Sequence, residues 1–575
     1  MEKRWVIKPL ADQKKVDHLK TVLNINQLLA HLLVQRGIKS YDQAKAFFRP
    51  SLESLYDPFR MKDMNNAIER IEKAVQSNQK ILIYGDYDVD GTTSVALVYS
   101  FLKQYYANLD YYIPDRYTEG YGISYQGINY AAQNNVSLII ALDCGIKAID
   151  KIDYASSLNI DFIICDHHTP EKTLPKAVAV LDPKRADCNY PFKDLSGCGV
   201  GFKMLQAFAR TNNMSMSELY PFLDLVAVSI ASDIVPIVDE NRTLTHFGLK
   251  QLNNDPRAGL KAIIKVSGLD DQHHDILVED IVFRIGPRIN ATGRLESGRN
   301  AVDLLITSHK KKAEHMAQKV NLCNDERKSI DRNITQDAIK MISSEPGFHG
   351  RKSTVLFNSN WHKGVVGIVA SRMIEIYHRP TIILTASNGL ATGSARSVPG
   401  FDIYAALNQC SDLIQNFGGH TYAAGLTMEI NNILPFKQKF EQIVEQTITD
   451  EQLIPHLDID AELRFQNITE PFFKILKQFQ PFGPQNLAPV FVARNVRDTG
   501  DARLVGSNKE HIKLSLVQDD APDCIFPAIA FHQPHHYNSI HKGKPFDICF
   551  SIEENNFRGK RTIQLNIKDM KIHQS

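Results

Sequence analysis

The chain has 575 residues, a length that suggests about three or four domains at roughly 100–200 residues per domain. Lys and Arg number 66 and Asp and Glu 65, so the formal net charge of +1 excludes a uniformly basic nucleic-acid coat and an acidic solvating tail. The first residues lack an apolar signal-peptide core, no apolar run approaches the ~18 residues of a membrane helix, and the cysteines are scattered, so we expect a cytoplasmic protein with no membrane segment and with reduced thiols.

The first part of the chain is predicted to be helical and the second to be an α/β domain. In residues 1–75, LNINQLLAHLLVQRG places apolar residues at helical spacing. In residues 76–305, apolar runs alternate with helix-like stretches, and helices predominate from about residue 197. Continuous apolar strands that alternate with helices are typical of a parallel sheet covered on both faces. The predicted strands are ILIY (81–84), LDYYI (109–113), LIIAL (138–142), FIIC (162–165) and AVAVL (177–181).

The remaining chain is predicted to contain a connector and two further domains. Residues 306–346 place apolar side chains at helical spacing among many charges, which predicts a long helical connector. Residues 347–450 contain the strand-like STVLFN and TIILT and then Gly-rich turns, so we predict a smaller α/β domain. Residues 455–575 contain short strand-like stretches separated by turn residues, which predicts a small β-barrel. The predicted fold class is therefore α/β and multidomain.

Acidic side chains follow three of the predicted parallel strands. Asp86, Asp88 and Asp90 come after the first strand, Asp143 after the third, and the Asp-His-His run 166–168 after the fourth. Because ligands of an open parallel sheet bind beyond the carboxyl ends of its strands, we expect these side chains to converge on one crevice. If the chain stays extended after the first strand, its alternating acids point to one side.

Crowded carboxylates of this kind suit divalent cations. They repel one another, and their neutralisation by protonation near pH 7 is costly, whereas aspartate oxygens with imidazole nitrogen suit Mn²⁺ or Mg²⁺. Two ions about 3.5–4 Å apart could clamp both oxygens of a phosphoryl displacement. A calcium loop is excluded because Leu97 stands where that loop needs Glu. Helix capping explains Asp143 or Asp166 taken singly, but it does not explain the clusters together with His167 and His168.

These motifs resemble the DHH phosphoesterase superfamily. The resemblance rests on Asp-His-His at 166–168, D-x-D-G at 88–91 and the isolated Asp143. Asp233 in IASDIVP fits the superfamily's last metal-ligand motif, and as an alternative it is a polar residue at a helix end.

Longer stretches resemble the RecJ exonucleases within that superfamily, from about residue 70 to 570 and in the family's order. The resemblance implies a DHH catalytic domain (76–305), a DHHA1 domain (347–450) and an oligonucleotide-binding (OB) barrel (455–575). It implies a metal-dependent, single-strand-specific 5′→3′ DNA exonuclease of repair and recombination that releases 5′-mononucleotides. The stretches are RIGPRINATGRL (284–295), WHKGVVGIVASRM (361–373), GSARSVPGFD (393–402), FGGHTYAAG (417–425) and FQPFGPQNLAPVF (479–491).

The resemblance also implies roles for individual residues. His168 would contact the scissile phosphate, and Asp166 would orient the site. Many superfamily members have His where this chain has Tyr84, and Asp86 is the candidate for the missing ligand. The implied ligands of two Mn²⁺ or Mg²⁺ ions are Asp88, Asp90, Asp143, His167 and Asp233, with Asp86 as the additional candidate.

Substrate contacts are expected in three further places. Ser394, Arg396 and the loop 418–420 (Gly418, Gly419, His420) offer a hydroxyl, a guanidinium and backbone N–H groups that suit a terminal 5′ phosphate, although Gly-Gly is also common in plain turns. Arg288 and Arg294 are equally compatible with phosphate contacts and with acid pairs. On the barrel, the aromatic side chains could stack on bases or belong to the core; they are Phe531, Phe550 and Phe557.

Two other functions remain open at this point. DHH relatives also hydrolyse short oligonucleotides or cyclic dinucleotides, but those chains are typically shorter and lack a terminal barrel. A non-catalytic single-strand-binding or scaffold protein would be expected to lose metal ligands, which this chain keeps. We expect the protein to be a monomer that binds single-stranded DNA. The resemblance implies two further partners, a single-strand-binding protein and a helicase.

Overall fold

The computed structural model describes residues 2–270, 275–540, 543–557 and 560–573. It divides into two compact units. The larger unit comprises Ile7–Asn321 and Asp458–Ser575, and the smaller unit comprises Met1–Val6 and Leu322–Leu457. Among the described residues, no helix is both long and apolar enough to span a membrane.

The helices and strands of the described residues are numbered in chain order. The strands are β1 (Arg4–Ile7), β2 (Lys80–Gly85), β3 (Leu109–Tyr112), β4 (Val136–Leu142), β5 (Asp161–Cys165), β6 (Ala179–Leu181), β7 (Thr354–Phe357), β8 (Thr381–Ser387), β9 (Leu390–Arg396), β10 (Asn416–His420), β11 (Ala423–Met428), β12 (His456–Ile459), β13 (Ala461–Glu462), β14 (Phe491–Asp498), β15 (Arg503–Val505), β16 (His511–Gln518), β17 (Ala521–Ala530), β18 (Phe546–Phe557) and β19 (Lys560–Ile572). The helices are α1 (Gln13–Leu23), α2 (Gln27–Gln35), α3 (Tyr41–Phe48), α4 (Met64–Gln76), α5 (Val89–Leu102), α6 (Tyr125–Gln133), α7 (Ile149–Ser157), α8 (Gly197–Thr211), α9 (Leu223–Ser232), α10 (Asp239–Asn254), α11 (Ala258–Val266), α12 (Val278–Asp280), α13 (Gly286–Leu295), α14 (Arg299–Ile306), α15 (Lys310–Ser344), α16 (Val366–Tyr377), α17 (Ile403–Asn408), α18 (Ile433–Thr447), α19 (Glu470–Lys477) and α20 (Tyr537–Ile540).

A parallel sheet lies at the centre of the larger unit. Its strands run in the order β3-β2-β4-β5-β6, and every neighbouring pair is parallel. Alternate side chains of β2 enter different layers: Ile81 and Ile83 pack with α4, α5 and α8, whereas Leu82 and Tyr84 pack with α6 and α7. Apart from Lys80, Ser137 and Asp161 near their starts, the central strands β2, β4 and β5 consist of apolar residues, Tyr84 and Gly85, because both faces of the sheet are covered.

The helices after the sheet pack closely around it. In α9, every residue from Leu223 to Ala231 is buried, as its apolar sequence predicts. A Cβ on Gly248 of α10 would lie 2.3 Å from the Leu223 carbonyl oxygen. The glycine therefore lets α10 approach the backbone of α9, the helix that ends at Asp233.

The C-terminal strands form a closed barrel. The order β14-β18-β19-β17-β16 closes because β16 also pairs with β14, and such closure leaves no sheet edge among these five described strands. Phe550 is buried in the barrel core and Phe531 is exposed; the side chain of Phe557 lies outside the part that the structure describes. Helices α1 to α3 share the barrel core, whereas α4 packs on the parallel sheet. The N-terminal segment contains β1 and then the helices α1 to α4.

The smaller unit is built on a mixed sheet. Its order is β10-β11-β9-β8-β7, with β7 parallel to β8 and the other neighbouring pairs antiparallel. Helices α17 and α18 pack in one core, and α16 packs in another with the last turns of α15. The predicted connector is a single helix of 35 residues, α15.

We predict that Gly248→Ala lowers the free energy of unfolding of the larger unit by about 1–3 kcal/mol, because the added methyl group overpacks the contact between α9 and α10. The control is Gly199→Ala in α8, where a Cβ would meet no atom closer than 3.4 Å. Helix propensity should make that variant more stable by about 0.5–1 kcal/mol. Urea unfolding of both variants should be followed by far-UV circular dichroism. Tryptophan fluorescence would not report on the larger unit, because Trp5 and Trp361, the chain's two tryptophans, belong to the smaller unit. Unchanged stability in Gly248→Ala would contradict the close approach.

Candidate metal centre

The end of β2 turns directly into a helix. Asp86 follows the strand, and Asp88 caps α5 by accepting a hydrogen bond of 3.0 Å from the Gly91 N–H. The chain does not stay extended from Asp86 to Asp90, because Asp90 already lies in the first turn of α5, so the condition under which the three alternating acids would point to one side is not met. A Cβ on Gly91 would lie 2.4 Å from the Asp86 carbonyl oxygen, so glycine is needed for this tight turn.

The Asp90 carboxylate is held by the start of α8 and by α9. Its Oδ2 atom accepts a hydrogen bond of 2.7 Å from the Gly197 N–H. Its Oδ1 atom accepts hydrogen bonds of 2.8 Å from the Cys198 N–H and 2.7 Å from the Ser229 hydroxyl. The N-terminus of a helix carries a partial positive charge and offers free N–H groups, so the start of α8 is a favourable place for this carboxylate.

Asp143 is fixed by its backbone conformation. Its φ of 59° lies in the left-handed region, which Asp adopts more readily than most residues. Its N–H donates to the Cys165 carbonyl oxygen over 2.9 Å, which ties the ends of β4 and β5 together. A Cβ on Gly197 would lie 2.6 Å from the Asp143 Cβ, so the start of α8 passes directly against this side chain.

His167 lies at the centre of the acids. Its Nε2 atom is 3.1 Å from Asp143 Oδ1, 3.6 Å from Asp233 Oδ2 and 3.7 Å from Asp90 Oδ2. Despite these short distances, neither ring nitrogen has hydrogen-bond geometry to any described residue, and the same is true of Asp143 Oδ1 and Asp86 Oδ2. Buried polar atoms without partners are rare in folded proteins.

These unpartnered atoms fit divalent metal ions. Asp143, His167 and His168 each place a ligand atom within 4.8 Å of the others, and so do Asp90, His167 and Asp233. Carboxylate oxygen with imidazole nitrogen is the donor set expected for Mn²⁺, and for Mg²⁺ when oxygen ligands predominate. The structure thus brings together four of the six predicted metal ligands, Asp90, Asp143, His167 and Asp233, and adds His168, which was predicted to contact the scissile phosphate. Asp86 and Asp88 belong to neither group.

The electrostatics of the acids agree with a cation site. Burial, followed by the charge of a neighbouring Asp, raises the pKa of Asp86, Asp88, Asp143 and Asp233 above its usual value. The neighbouring charge is that of Asp88 for Asp86 and that of Asp90 for the other three. Asp86 has a further contact, because its Oδ1 atom accepts a hydrogen bond of 3.3 Å from the Gly122 N–H. A bound cation would reverse this cost of ionisation.

Asp166 does not face the cluster as a ligand but orients its neighbours. Its Oδ1 atom accepts hydrogen bonds from His168 Nδ1 and from the backbone N–H groups of His167 and His168, and its Oδ2 atom accepts from the Ile146 N–H. Burial alone would lower the pKa of His168, but the hydrogen bond and charge of Asp166 raise it to about 9. His168 Nε2 lies 3.2 Å from the Tyr121 hydroxyl.

The two candidate arginines differ in their surroundings. Arg288 is buried and donates to the carbonyl oxygens of Arg284 and Val266 and to Asn321 Oδ1, so its guanidinium anchors α13. Arg294 is half-buried, and its positive charge acts on Tyr87, the residue between Asp86 and Asp88. The charge of Arg294 therefore acts beside Asp86 and Asp88.

The candidate residues of the smaller unit meet on one sheet. Ser394 and Arg396 lie on β9, and residues 418–420 form most of β10, with β11 between them. The register aligns Ser394 with Gly418 through Gly425, and it aligns Arg396 with His420 through Ala423. Gly367 in the first turn of α16 lies against the same place, since a Cβ there would be 3.1 Å from Ser394 Oγ and 3.2 Å from an Arg396 nitrogen.

Sequence reasoning missed the residues that support the acids. Ser229 binds both Asp90 and Ser196, and Tyr121 faces His168. Ser229 lies in an apolar helix and Tyr121 in a loop, so neither has a neighbouring motif that marks it. Gly197 carries a weak signal, because S-G-C-G before an apolar run resembles a helix start.

Three family models match the chain: the DHH family, N-terminal domain (residues 80–230), the DHHA1 domain (350–446) and the RecJ OB domain (459–569). Among curated relatives, the single-stranded-DNA-specific exonuclease RecJ of Bacillus subtilis (strain 168) is 36% identical over 570 residues, covering 98% of this chain and 70% of the relative. The protein of the same name from Escherichia coli (strain K12) is 31% identical over 565 residues, covering 94% and 95%.

Solved structures give the same picture of the fold. RecJ from Thermus thermophilus in complex with Mn²⁺ matches with a TM-score of 0.84 and 24% identity, covering 100% of this chain and 80% of that one. A structure of exonuclease RecJ bound to manganese matches with a TM-score of 0.60 and 28% identity, covering 70% and 98%. These likenesses confirm the predicted fold class.

We predict that Mn²⁺ stabilises the protein more strongly as the pH rises. The acids with raised pKa favour the folded state in their protonated form, so in metal-free protein this contribution is present at low pH and is lost as the pH rises through the raised pKa values. Mn²⁺ binds the ionised form and should add about 2.7 kcal/mol at ~100 times its Kd. Thermal unfolding with Mn²⁺ or chelator, near pH 6 and near pH 8, measures the difference.

Two variants serve as controls for this pH effect. Asp143→Asn should lose most of the Mn²⁺-dependent gain, and Asp523→Asn, an exposed acid of the barrel, should keep it. An equal gain at both pH values, or a full gain in Asp143→Asn, would show that Mn²⁺ acts elsewhere.

Proposed function

The chain belongs to the RecJ family of single-stranded-DNA-specific exonucleases, and we propose that it hydrolyses the phosphodiester bonds of single-stranded DNA from the 5′ end. The observation that carries this proposal is the cluster around His167, in which the two buried ring nitrogens and Asp143 Oδ1 have no hydrogen-bond partner among the described residues and the side chains have ligand spacing. Two divalent ions, Mn²⁺ or Mg²⁺, would be held by Asp86, Asp88, Asp90, Asp143, His167 and Asp233.

The chain's own residues position the reacting groups. Bound divalent ions would supply an activated water and neutralise charge on the phosphate. Asp166 fixes His168 Nδ1, so Nε2 is the atom directed toward substrate, and the pKa of about 9 keeps the ring protonated near pH 7. His168 would donate from Nε2 to an oxygen of the scissile phosphate. The leaving group would be the 3′ oxygen of the 5′-terminal nucleotide, which would be released as a 5′-mononucleotide.

The polarity would come from the smaller unit. We assign the 5′ phosphate to Ser394, Arg396 and residues 418–420, because the strand register aligns a hydroxyl and a guanidinium of β9 with an exposed Gly-Gly-His stretch of β10 across β11. A guanidinium with backbone donors suits a terminal phosphate. Arg294 would contact a phosphate nearer to the metal cluster; for Arg288 the support is the family resemblance alone.

The domains would divide the work. Residues 76–305 would carry the chemistry, residues 306–346 would connect them to the end-recognising residues 347–450, and residues 455–575 would bind the strand. We further propose a monomer that acts in the cytoplasm, in repair and recombination, with a helicase and a single-strand-binding protein. The family resemblance supports these roles.

A phosphodiesterase for short oligonucleotides or cyclic dinucleotides is the weaker alternative. The curated relatives are named single-strand-specific DNA exonucleases, and the described chain ends in a closed barrel of the kind that binds single strands. Binding of a dinucleotide substrate would not require the additional surface of the barrel.

We predict that a 5′-labelled strand loses its label as mononucleotide at the earliest times, whereas a 3′-labelled strand shortens gradually. The reaction should need Mn²⁺ or Mg²⁺ and stop with chelator. Asp143→Asn should slow it at least ~100-fold, since even residues that only support metal ligands cost about 10–100-fold. Early release of the 3′ label would contradict the polarity, and wild-type activity of folded Asp143→Asn would contradict the metal centre.

We predict that Arg396→Gln reduces kcat/KM on 5′-phosphorylated DNA by about 10–100-fold, the value of a charged hydrogen bond. The loss on 5′-hydroxyl DNA should be much smaller, because that substrate lacks the phosphate. Arg351→Gln, which removes an arginine paired with Glu345 in the same unit, is the matched control. Equal losses on both substrates would assign Arg396 to another part of the strand.

A further inference from the structure

The loop that follows the metal-ligand candidate Asp233 is held by the segment that leads into the barrel. This segment, residues 478–486, is called the barrel linker below. We propose that the barrel linker is a positioning element for Asp233, so that a divalent ion binds at Asp90, His167 and Asp233 with full affinity only while the linker is seated. The proposal rests on the proposed function, because it takes Asp233 as a metal ligand.

The residue after Asp233 has a strained backbone. Ile234 has a φ of 60°, in the left-handed region that β-branched residues very rarely adopt. Its side chain is 63% exposed, so burial of that side chain does not compensate for the conformation. A residue persists in such a conformation only when the surrounding structure imposes it.

Three contacts impose this conformation on residues 233–238. The Asp233 N–H donates to the Ser229 carbonyl oxygen over 2.9 Å, which fixes the loop to the end of α9. The buried Asn241 donates from Nδ2 to the Pro236 carbonyl oxygen over 3.0 Å. The Ile237 N–H donates to the Pro484 carbonyl oxygen over 2.9 Å, and this third contact comes from the barrel linker.

The linker also fits the loop sterically. A Cβ on Gly483 would lie 2.4 Å from Ile237 Cδ1 and 2.8 Å from its Cγ1. Ile237 is fully buried and cannot turn toward solvent. Glycine at 483 therefore lets the linker close on the loop, and a larger residue would push Ile237 and, through it, the chain that leads back to Asp233.

The linker is itself seated by two arginines and an asparagine. Arg242 of α10 donates to the carbonyl oxygens of residues 478–481. Asn486 Nδ2 donates to the Phe479 and Pro481 carbonyl oxygens, and Arg36 Nε donates to Asn486 Oδ1 over 2.9 Å. α10 begins two residues after Ile237. The stretch from Ile237 to Arg242 therefore contacts the linker at both of its ends, through Ile237 at Gly483 and Pro484 and through the hydrogen bonds that Arg242 donates to residues 478–481.

The position of Asp233 depends on the contacts of the barrel linker more than the positions of the other candidate ligands do. Asp90 and Asp143 are buried and directly contacted by α8, whereas the Asp233 side chain is 29% exposed. Apart from the Arg242 N–H that donates to the Val238 carbonyl oxygen, the described hydrogen bonds of residues 233–238 join them to Ser229, Asn241 and Pro484. A change in the loop conformation would therefore displace Asp233, which belongs to only one of the two candidate groups. It would leave the other group, Asp143, His167 and His168, in place.

Ile234→Gly tests the proposal without a risk to folding, because glycine adopts a positive φ without strain. We expect an unchanged or higher thermal unfolding midpoint, together with about 10-fold weaker binding of one of two Mn²⁺ ions. Electron paramagnetic resonance of free Mn²⁺ during titration measures the affinity directly. Lys509→Gly, an exposed barrel residue with a φ of 55°, is the matched control and should leave both affinities unchanged.

A second pair of variants tests the linker itself. Gly483→Ala should also lower the affinity for one of the two Mn²⁺ ions about 10-fold. Adding Ile237→Ala, which makes room for the new methyl group, should restore most of that affinity. Wild-type Mn²⁺ affinity in Ile234→Gly or in Gly483→Ala would overturn the proposal, as would a double variant that regains nothing. Failure of the wild-type protein itself to bind Mn²⁺ would instead contradict the proposed function.

Discussion

The mutual repulsion of crowded carboxylates is the constraint on which the candidate metal centre depends. Asp86, Asp90 and Asp143 are buried beyond the ends of parallel strands, where little water remains to stabilise their charge, and the charges of the half-buried Asp88 and Asp233 act on them. Protein groups compensate only part of this cost: the start of α8 and Ser229 donate to Asp90, and backbone N–H groups donate to Asp86 and Asp88. The rest of the cost explains why the cluster suits divalent cations, which supply positive charge at the place where the unpartnered atoms lie.

Close backbone approach is the second requirement of this site. Gly91 lets α5 start against Asp86, and Gly197 lets α8 start against Asp143. Gly248 brings α10 onto α9, and Gly483 brings the barrel linker onto the Asp233 loop. At each position a Cβ would lie less than 3 Å from a neighbouring atom. The candidate metal ligands are thus placed by packing of elements around the sheet as well as by the strand ends.

Much of the fold and the cluster could be predicted from the sequence, because the physics involved is local. Continuous apolar strands followed by acids predict both a parallel sheet and the edge at which Asp86, Asp143 and Asp166 meet. The turn of α5 at Asp88 was not predictable from alternation, because a capping hydrogen bond to Gly91 competes with an extended chain. Tertiary contacts such as Ser229 with Asp90 leave no periodic signal, so sequence reasoning had no means to find them.

Crystals of the protein grown with Mn²⁺ would test the central claim, that this cluster holds two divalent ions, most directly. Anomalous scattering locates the metal independently of any assumption about ligands. We expect two peaks about 3.5–4 Å apart, bounded by Asp90, Asp143, His167 and Asp233. Peaks at other places on the chain, with none at His167, would contradict the assignment of the metal centre and the function derived from it.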